Sequence, residues 1–376
     1  MRWPKSSILW AEFTEKLKMP VRGTETMEEY LAMPKARQAE LKDVGGYVGG
    51  TFTGDRRKAS GVEGRDLVTL DLDSIPAGQT EDILKRVSGL GCASMVYSTR
   101  KHAGYAPRLR VVIPLDRTVT ADEYEPVARK IASLVGIRFC DPTTFEASRL
   151  MYWGSCCSDG EYVAEVYDNP FCSADGILAM YGDWKDVSQW AQVPGSEVIE
   201  KRRLAKQEDP TAKRGIIGAF CRTYTITQAM DKFIPGMYEE TDIPGRYTYT
   251  GGSTQGGAVV YDGDLFLYSH HATDPCSGLL VNAFDLIRLH KFGDQDADVK
   301  EGTPNNKLPS FLSMSRLALE DKAVSDLMSK ERFENAKEAF AAGNTPQAGQ
   351  EADEDTSWIY SLTKDASGRF EKTINN

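Results

Sequence analysis

Two aspartates separated by one residue, Asp71 and Asp73, stand where an apolar segment ends. Residues 67–72 are of the types that β-sheets accept, which predicts a buried strand. Positions i and i+2 of a strand face the same side, so both carboxylates are expected to project together. Carboxylates held this close repel each other, and Mg²⁺ is commonly held by one or two carboxylates with phosphate oxygens. The pair predicts a metal site that acts on nucleotides; the alternative is a surface loop whose aspartates cap the next turn.

A basic segment follows this acidic one. Between Ser98 and Leu115 the chain has no acidic residue and carries Arg100, Lys101, His102, Arg108 and Arg110. Together with a hydroxyl from Ser98 or Thr99, such a segment can hold a triphosphate, because arginine binds phosphate through a bidentate fork and histidine donates one N–H. The alternative for His102 is a surface histidine in a basic turn.

Asp141 is the third candidate carboxylate. It follows residues 137–140, which are strand-like, so it is expected at another strand end. The alternative is a cap of the turn that begins at Pro142. Arg149 precedes the apolar residues that lead to Trp153 and is expected to point into the same cleft, and Glu146 is a weaker carboxylate candidate. Three such carboxylates, a basic turn and an arginine are the equipment of two-metal nucleotidyl transfer.

Composition excludes several classes of protein. The 376 residues predict two domains, and a net charge of −10 argues against coating of nucleic acid by bulk attraction. No apolar stretch approaches the roughly 18 to 20 residues of a membrane span, and the N-terminus is not a secretory signal. The seven cysteines form no Cys-x-x-Cys pair, which favours free thiols in a reducing cytoplasm over a zinc site. No P-loop occurs, so the chain is not by itself a conventional ATP-driven helicase.

The order of predicted elements indicates an α+β fold. Helices are expected within residues 1–45 and at 80–88 and 121–135, and strands at 67–72, 93–98, 109–114, 151–153 and 162–167. The predicted domains are a catalytic domain at 1–195, a helical connector at 196–240, a small mixed α/β accessory domain at 241–340, and an acidic linker with the start of a following region at 341–376.

Two segments of the accessory domain have alternative functional interpretations. Residues 251–257 are glycine-rich but lack Gly-Lys-Ser/Thr, so a hairpin turn is favoured over a phosphate-binding loop. His270, His271 and Asp274 suggest either a second metal site or a turn. Neighbouring histidines project to opposite sides of an extended chain, which favours the turn.

The order of these motifs resembles the archaeo-eukaryotic primase (Prim-Pol) superfamily. The similarity is greatest to the phage and prophage branch, in which the module lies N-terminal to a virulence-associated E type helicase. The resemblance covers most of residues 5–340. It is carried by segments 42–50, 56–58, 67–75, 97–115, 141–152, 215–222, 268–275 and 282–288.

The resemblance implies a Prim-Pol core with an RRM-like sheet and a helical primase C-terminal-like connector. It implies Mg²⁺ or Mn²⁺ bound by the catalytic carboxylates Asp71, Asp73 and Asp141. It further implies nucleotide binding by Ser98, Thr99, His102 and Arg149, and contacts to DNA or phosphate by Arg56, Arg57, Arg100, Lys101, Arg108 and Arg110. The superfamily often shows Ser-x-His, whereas here Ser98 and His102 are four residues apart, which makes Thr99 the alternative hydroxyl.

The predicted function is therefore a template-dependent DNA primase and polymerase of a phage or prophage, acting in the bacterial cytoplasm at the start of replication. Its expected partners are a single-stranded DNA template, NTPs or dNTPs, and a replicative helicase that is fused or separate. No association with a membrane is expected. One alternative is a non-catalytic DNA-binding adaptor that positions the helicase. Another is a metal-dependent nuclease that uses the same carboxylates.

Overall fold

The computed structural model describes residues 4–55, 57, 59–195, 208–261, 263–300 and 302–341. The chain divides into two compact units. The first comprises Met1–Arg202, Gly251–Gly257 and His270–Gly278, and the second comprises Arg203–Thr250, Ala258–Ser269 and Leu279–Asn376. The start of the predicted connector, at 196–207, and the predicted acidic linker after residue 341 lie outside the described residues.

The first unit mixes helices and strands. Its helices are α1 (Trp10–Lys18), α2 (Met27–Ala32), α3 (Lys35–Lys42), α4 (Thr80–Ser88), α5 (Ala121–Val135) and α6 (Ala174–Leu178). Its strands are β1 (Val21–Arg22), β2 (Gly46–Tyr47), β3 (Gly50–Phe52), β4 (Val62–Leu72), β5 (Ser94–Ser98), β6 (Leu109–Val119), β7 (Met151–Tyr152), β8 (Ser155–Cys156) and β9 (Ala164–Tyr167). Short 3-10 helices span Ala59–Gly61, Ile137–Phe139, Pro142–Phe145 and Val187–Gln189. The predicted α+β class is confirmed.

The central sheet of the first unit has the strand order β3-β4-β6-β5-β9, and neighbouring strands are antiparallel. Because β4 and β5 both pair with β6, they run parallel to each other and are joined through α4. Smaller pairs form between β1 and β8 and between β2 and β7. The predicted strand at 67–72 is the end of β4, and the predicted helix at 121–135 has the bounds of α5.

The two faces of this sheet bury different side chains, as the period of two requires. On one face Leu70 and Val111 belong to a core that includes residues of α4 and α5. On the other face Val112 and Tyr97 pack with α1. Asp71 is the register partner of Arg110, which lies between Val111 and Leu109, so the carboxylate side of β4 faces away from α4 and α5.

Local sequence explains where the helices begin. Thr26 and Glu29 form a capping box at the start of α2, and Thr120 and Glu123 form another at the start of α5. Gly136, with φ of 133°, ends α5 in a backbone conformation that side chains with a Cβ rarely adopt. The sharp turn at Gly136 brings the following residues back toward β4.

Residues 137–144 contradict the strand predicted before Asp141. They form two 3-10 helices, and Cys140 pairs with Leu72 through an isolated bridge. The Thr144 hydroxyl accepts from the N–H of Asp71 at 3.0 Å and donates to the carbonyl oxygen of Thr69 at 2.9 Å. This segment therefore covers the edge of β4 beyond β3 without being a strand itself.

Arg65 fastens the loop that follows Asp141 to the sheet. Its side chain is fully buried and lies over the Tyr124 ring, 4.2 Å from the centroid. It donates to the carbonyl oxygens of Gly49, Ala147 and Leu67 at 2.9, 2.6 and 3.0 Å. A buried guanidinium with this many acceptors fixes the path of three backbone segments.

The second unit also contains helices and strands. Its helices are α7 (Gly215–Thr223), α8 (Ile226–Phe233), α9 (Ala283–Phe292), α10 (Pro309–Glu320) and α11 (Lys322–Ala341). Its strands are β10 (Tyr238–Glu240), β11 (Arg246–Tyr249), β12 (Ala258–Tyr261), β13 (Phe266–Ser269) and β14 (Leu280–Val281), which form an antiparallel sheet in chain order. Within the predicted helical connector at 196–240, residues 215–233 form two helices rather than one, because Thr225 and Gln228 form a capping box that starts α8.

Both segments of the predicted accessory domain that have alternative interpretations form connections with internal hydrogen bonds. Residues 250–257 connect the antiparallel strands β11 and β12, as the hairpin prediction requires. His271 is fully buried, and its ring nitrogens bond to the Thr254 hydroxyl at 2.5 Å and to the Gly257 N–H at 3.2 Å. Asp274 accepts from the N–H of Cys276 at 2.8 Å, the geometry of a turn.

Within the described ranges, every helix is too short or too polar to cross a lipid bilayer.

Candidate metal and nucleotide site

A row of side chains crosses the sheet at the end of β4. Asp71, Arg110 and Tyr97 are register partners on three adjacent strands, which places their side chains on one face. Arg110 Nη2 lies 3.2 Å from Asp71 Oδ2, while its Nη1 donates to the carbonyl oxygen of Tyr152 at 2.9 Å. The Tyr97 hydroxyl donates to the same carbonyl at 2.9 Å. The row holds the Asp71 carboxylate rigidly at the sheet surface.

One oxygen of the Asp71 carboxylate has no hydrogen-bond donor beside it in the part of the chain that the structure describes. The residue is 6% exposed, and Oδ1 is buried with no hydrogen-bond partner among the described residues. An unpaired buried carboxylate oxygen is costly, because the desolvation of its charge is uncompensated. A divalent cation bound by carboxylate oxygens would remove that cost, so the residues present fit such an ion.

Asp73 lies just beyond the end of β4. Its N–H donates to the carbonyl oxygen of Phe139 at 3.0 Å, and its Oδ2 lies 2.8 Å from Arg108 Nη1. Burial raises the pKa of Asp73 above its usual value. The Asp71 and Asp141 carboxylates add to the rise in pKa, and Arg108 opposes it. The structure thus holds Asp73 in a field of like charge, which a cation would relieve.

Asp141 reaches the same edge from the 3-10 segment. Its N–H donates to the carbonyl oxygen of Asp71 at 2.8 Å. Its Oδ1 accepts from the N–H and hydroxyl of Thr143 at 2.9 and 2.7 Å, the capping role considered as the alternative. Its Oδ2 lies 3.5 Å from Arg149 Nη2. Asp141 therefore both caps a turn and lies beside Asp71.

The residues of the basic turn separate into two groups. Ser98 is fully buried, and its hydroxyl accepts from the N–H of Val163 at 3.0 Å, so it supports the sheet. Thr99 and Lys101 line a cavity next to the acidic edge. His102 is 2% exposed, and its Nδ1 accepts from the N–H of Arg108 at 3.1 Å, which leaves the proton on Nε2. Burial lowers the pKa of His102.

The cavity has a volume of about 230 Å³ and includes Asp71 and Asp73 in its wall. Arg100 lies in the wall with 3% exposure, forms a buried ion pair with Glu25, and stands over the Tyr30 ring at 5.2 Å from its centroid. Burial alone would raise the pKa of Glu25. The hydrogen bond from Arg100 and its positive charge have the larger effect, so the pKa of Glu25 is lowered. This pair joins the chain before α2 to the turn after β5.

Helices α2 and α3 supply cavity residues that sequence reasoning did not assign to the site. These are Tyr30, Lys35, Gln38, Ala39 and Lys42. The sequence signal that could have found the α3 residues is their spacing. Positions 35, 38, 39 and 42 are three or four residues apart, which places Lys35, Lys42 and the smaller groups between them on one side of a helix. Burial lowers the pKa of Lys42, and the neighbouring Arg110 adds to this effect.

The remaining arginines that were predicted to contact DNA or phosphate have different positions. Arg57 donates to the carbonyl oxygen of Ser148 at 2.8 Å, and Arg56 lies outside the described residues. Arg110 supports Asp71, and Arg108 pairs with Asp73. The structure therefore brings together Asp71, Asp73, Asp141, Thr99, Arg100, Lys101, Arg108, Arg110 and Arg149 around one edge of the sheet.

Comparison with known proteins places the chain in a family. Residues 1–193 match the family described as the VapE N-terminal domain, a match over half of the chain. The chain belongs to the VapE N-terminal domain family. This confirms the predicted resemblance over residues 1–193, which include the whole acidic edge, whereas the segments at 215–222, 268–275 and 282–288 lie beyond the match.

Solved and curated proteins add little to the family match. The chain is similar to the AEP domain of the primase-polymerase from cyanophage S-2L, with 14% identity over 39% of this chain and 76% of that chain and a TM-score of 0.27. No curated protein matches it.

Proposed function

We propose that this chain is a metal-dependent nucleotidyltransferase that synthesises DNA or primers on a single-stranded template. The observation that carries the proposal is the buried, unpaired Oδ1 of Asp71 at an edge shared with Asp73 and Asp141. A cavity rich in cations opens beside this edge. Acidic groups that hold metal next to basic groups that hold phosphate are what nucleotidyl transfer needs.

Asp71, Asp73 and Asp141 would hold Mg²⁺ or Mn²⁺. When bound, two such ions activate a 3′-hydroxyl and neutralise the leaving pyrophosphate. Arg110 fixes the Asp71 carboxylate from behind, and Arg108 and Arg149 orient the Asp73 and Asp141 carboxylates. Thr99 supplies the hydroxyl that the superfamily takes from serine, because Thr99 lines the cavity whereas Ser98 is fully buried.

The Prim-Pol interpretation of the fold also belongs to this proposal. The order β4-β6-β5, with α4 joining β4 to β5 and α5 following β6, is the central arrangement expected of an RRM-like sheet. A replicative helicase as partner, fused or separate, rests on the resemblance to modules that lie N-terminal to virulence-associated E type helicases. Single-stranded DNA and NTPs or dNTPs are the substrates that this interpretation implies, and replication of a phage or prophage is its setting.

A non-catalytic DNA-binding adaptor is the second candidate. The net charge of −10 argues against a protein that coats nucleic acid, so such an adaptor would bind DNA through a local basic surface. The cluster Asp71, Asp73 and Asp141 speaks against it, because carboxylates that face DNA repel its phosphates unless a cation lies between them. A nuclease would use the same carboxylates and differs in its products.

The decisive experiment uses circular single-stranded DNA without a primer, labelled NTPs or dNTPs, and Mg²⁺ or Mn²⁺. The wild-type chain is compared with Asp71→Ala/Asp73→Ala and with Asp82→Asn, an exposed carboxylate in the first turn of α4. Products made by wild type and Asp82→Asn but not by the double variant would support the proposal. Absence of products with and without a primer would favour the adaptor, and shortening of labelled DNA would favour the nuclease.

A further inference from the structure

The cavity beside the acidic edge contains more positive charge than its own carboxylates balance. Six cationic side chains line it: Lys35, Lys42, Arg100, Lys101, Arg108 and Arg110. The carboxylates in the wall are Asp71 and Asp73. A cavity with this excess of cations is suited to an anion that carries several charges.

The arginines and the lysines differ in their partners. Each arginine is paired with a carboxylate: Arg100 with Glu25, Arg108 with Asp73 and Arg110 with Asp71. Within the part of the chain that the structure describes, none of the three lysines has a carboxylate within 4.0 Å. Lys42 instead lies 5.2 Å from the Tyr152 ring centroid, and Lys101 lies 5.7 Å from that of Tyr30. The three ammonium groups are therefore available to a ligand.

The wall that carries Lys35 and Lys42 is held in place. The Tyr30 hydroxyl donates to the carbonyl oxygen of Gln38 at 3.0 Å, and the Gln38 amide donates to that of Met33 at 2.8 Å. Gln38 Oε1 and Arg100 Nε, in side chains that are 4% and 3% exposed, have no partner among the described residues. The wall is thus rigid, yet two of its buried polar atoms are unsatisfied.

The cations also act on one another. Burial lowers the pKa of Lys101, and Lys35, Arg108 and Lys42 lower it further. Asp71 and Asp73 partly offset the lowered pKa of Lys42, and Asp73 partly offsets that of Lys101. A bound polyanion would remove the repulsion between these ammonium groups.

We propose that Lys35, Lys42 and Lys101 form a polyphosphate subsite, in which α3 is one wall, for the β- and γ-phosphates of a nucleoside triphosphate. This inference rests on the proposed function and names the residues that select its substrate. A triphosphate concentrates its charges within a few ångströms, which suits a cavity of about 230 Å³. The phosphates of a DNA strand are instead spaced along an extended backbone and carry one charge each.

The test measures binding without catalysis. Inorganic tripolyphosphate, ATP and AMP are titrated into the full chain in EDTA at low salt, using calorimetry. The triple variant Lys35→Gln/Lys42→Gln/Lys101→Gln is expected to bind tripolyphosphate and ATP at least about tenfold more weakly, because each lysine loses a charged hydrogen bond. Binding of AMP is expected to change much less. Single variants are expected to show partial losses.

The matched control is Lys85→Gln, which removes one positive charge from an exposed position near the end of α4. It is expected to bind like wild type. Unchanged melting temperatures for the single variants would show that weaker binding does not come from misfolding. Failure of wild type to bind tripolyphosphate, or equal loss with Lys85→Gln, would overturn the subsite.

Nucleotide incorporation separates this inference from the proposed function. The lysine variants are expected to raise the KM for the nucleotide with a smaller effect on kcat. If the chain makes no product but binds tripolyphosphate through the three lysines, the subsite stands and the proposed activity fails. If it makes product and the lysine variants change neither KM nor binding, the activity stands and the subsite is wrong.

Discussion

The N–H of Asp141 donates to the carbonyl oxygen of Asp71 at 2.8 Å, so two candidate metal ligands from distant parts of the sequence share a backbone hydrogen bond. The Thr144 hydroxyl lies between the N–H of Asp71 and the carbonyl oxygen of Thr69. The edge of β4 is thus completed by a segment that is not a strand. The spacing of the carboxylates is therefore set by the backbone rather than by the aspartate side chains alone.

Thr144→Val should weaken this edge. Valine has a similar shape but leaves the buried N–H of Asp71 without an acceptor, which costs about 1–3 kcal/mol of the free energy of unfolding. Urea denaturation measures the loss, and calorimetry with Mn²⁺ measures the accompanying drop in metal affinity. Thr144→Ser keeps the hydroxyl and should retain most of both; equal losses in the two variants would show that packing, not the hydroxyl, is responsible.

Asp73→Asn should separate activity from stability. The pKa of Asp73 is raised in the fold, so its charged form destabilises the folded chain at neutral pH, and removal of the charge should leave the melting temperature unchanged or higher. Nucleotide incorporation should fall by at least about 100-fold, because a metal ligand is lost. Addition of Mn²⁺ should raise the melting temperature of wild type but not of this variant. A variant that is both unstable and inactive would contradict the role assigned to Asp73.

Glu25→Gln should destabilise the first unit more than a surface change does. It leaves the buried Arg100 guanidinium without a counter-charge, which typically costs about 3–5 kcal/mol. The double variant Glu25→Gln/Arg100→Met removes both charges and should recover part of the loss in urea denaturation. If the double variant lost as much free energy of unfolding as Glu25→Gln and Arg100→Met lose in sum, the pair would not be coupled.

His102 should make stability depend on pH near neutrality. Its folded pKa is lowered by burial, so the unfolded chain binds more protons as the pH falls below about 6.5, and the free energy of unfolding should decrease there. The slope contributed by one histidine is at most about 1.4 kcal/mol per pH unit. Urea denaturation between about pH 7.5 and 5.5 should show this slope in wild type. His102→Gln should flatten it, and an unchanged slope would assign the effect to another group.

Regular elements can be predicted because their signals are local. The end of β4 shows the apolar run of a buried strand, and α5 has a capping box, an apolar face and a terminal glycine within its own residues. The same kind of local signal predicts the acidic edge at Asp71 and Asp73. Their shared cavity follows from the register of β4 against β6.

The remainder depends on contacts between distant residues. Glu25 stands in a polar stretch with no pattern that indicates burial, and its partner Arg100 is 75 residues away. The ion pair between Glu25 and Arg100 holds the chain before α2, and Tyr30 of α2 donates to the carbonyl oxygen of Gln38 in α3. The position of α3 as a cavity wall therefore depends on this pair of distant residues. Asp141 lies beside Asp71 as expected, but the expected reason is wrong, since a turn at Gly136 and 3-10 helices replace the predicted strand.

Arg65 and Arg57 hold the loop after Asp141 by its carbonyl oxygens, at Ala147 and Ser148. Every residue type presents the same carbonyl group, so the path of this loop does not depend on which side chains it carries. Substitutions at its exposed positions can therefore alter what the loop touches without shifting the Asp141 carboxylate. The carbonyl oxygens of this loop thus fix the position of Asp141, while its exposed side chains form the surface that the loop presents to other molecules.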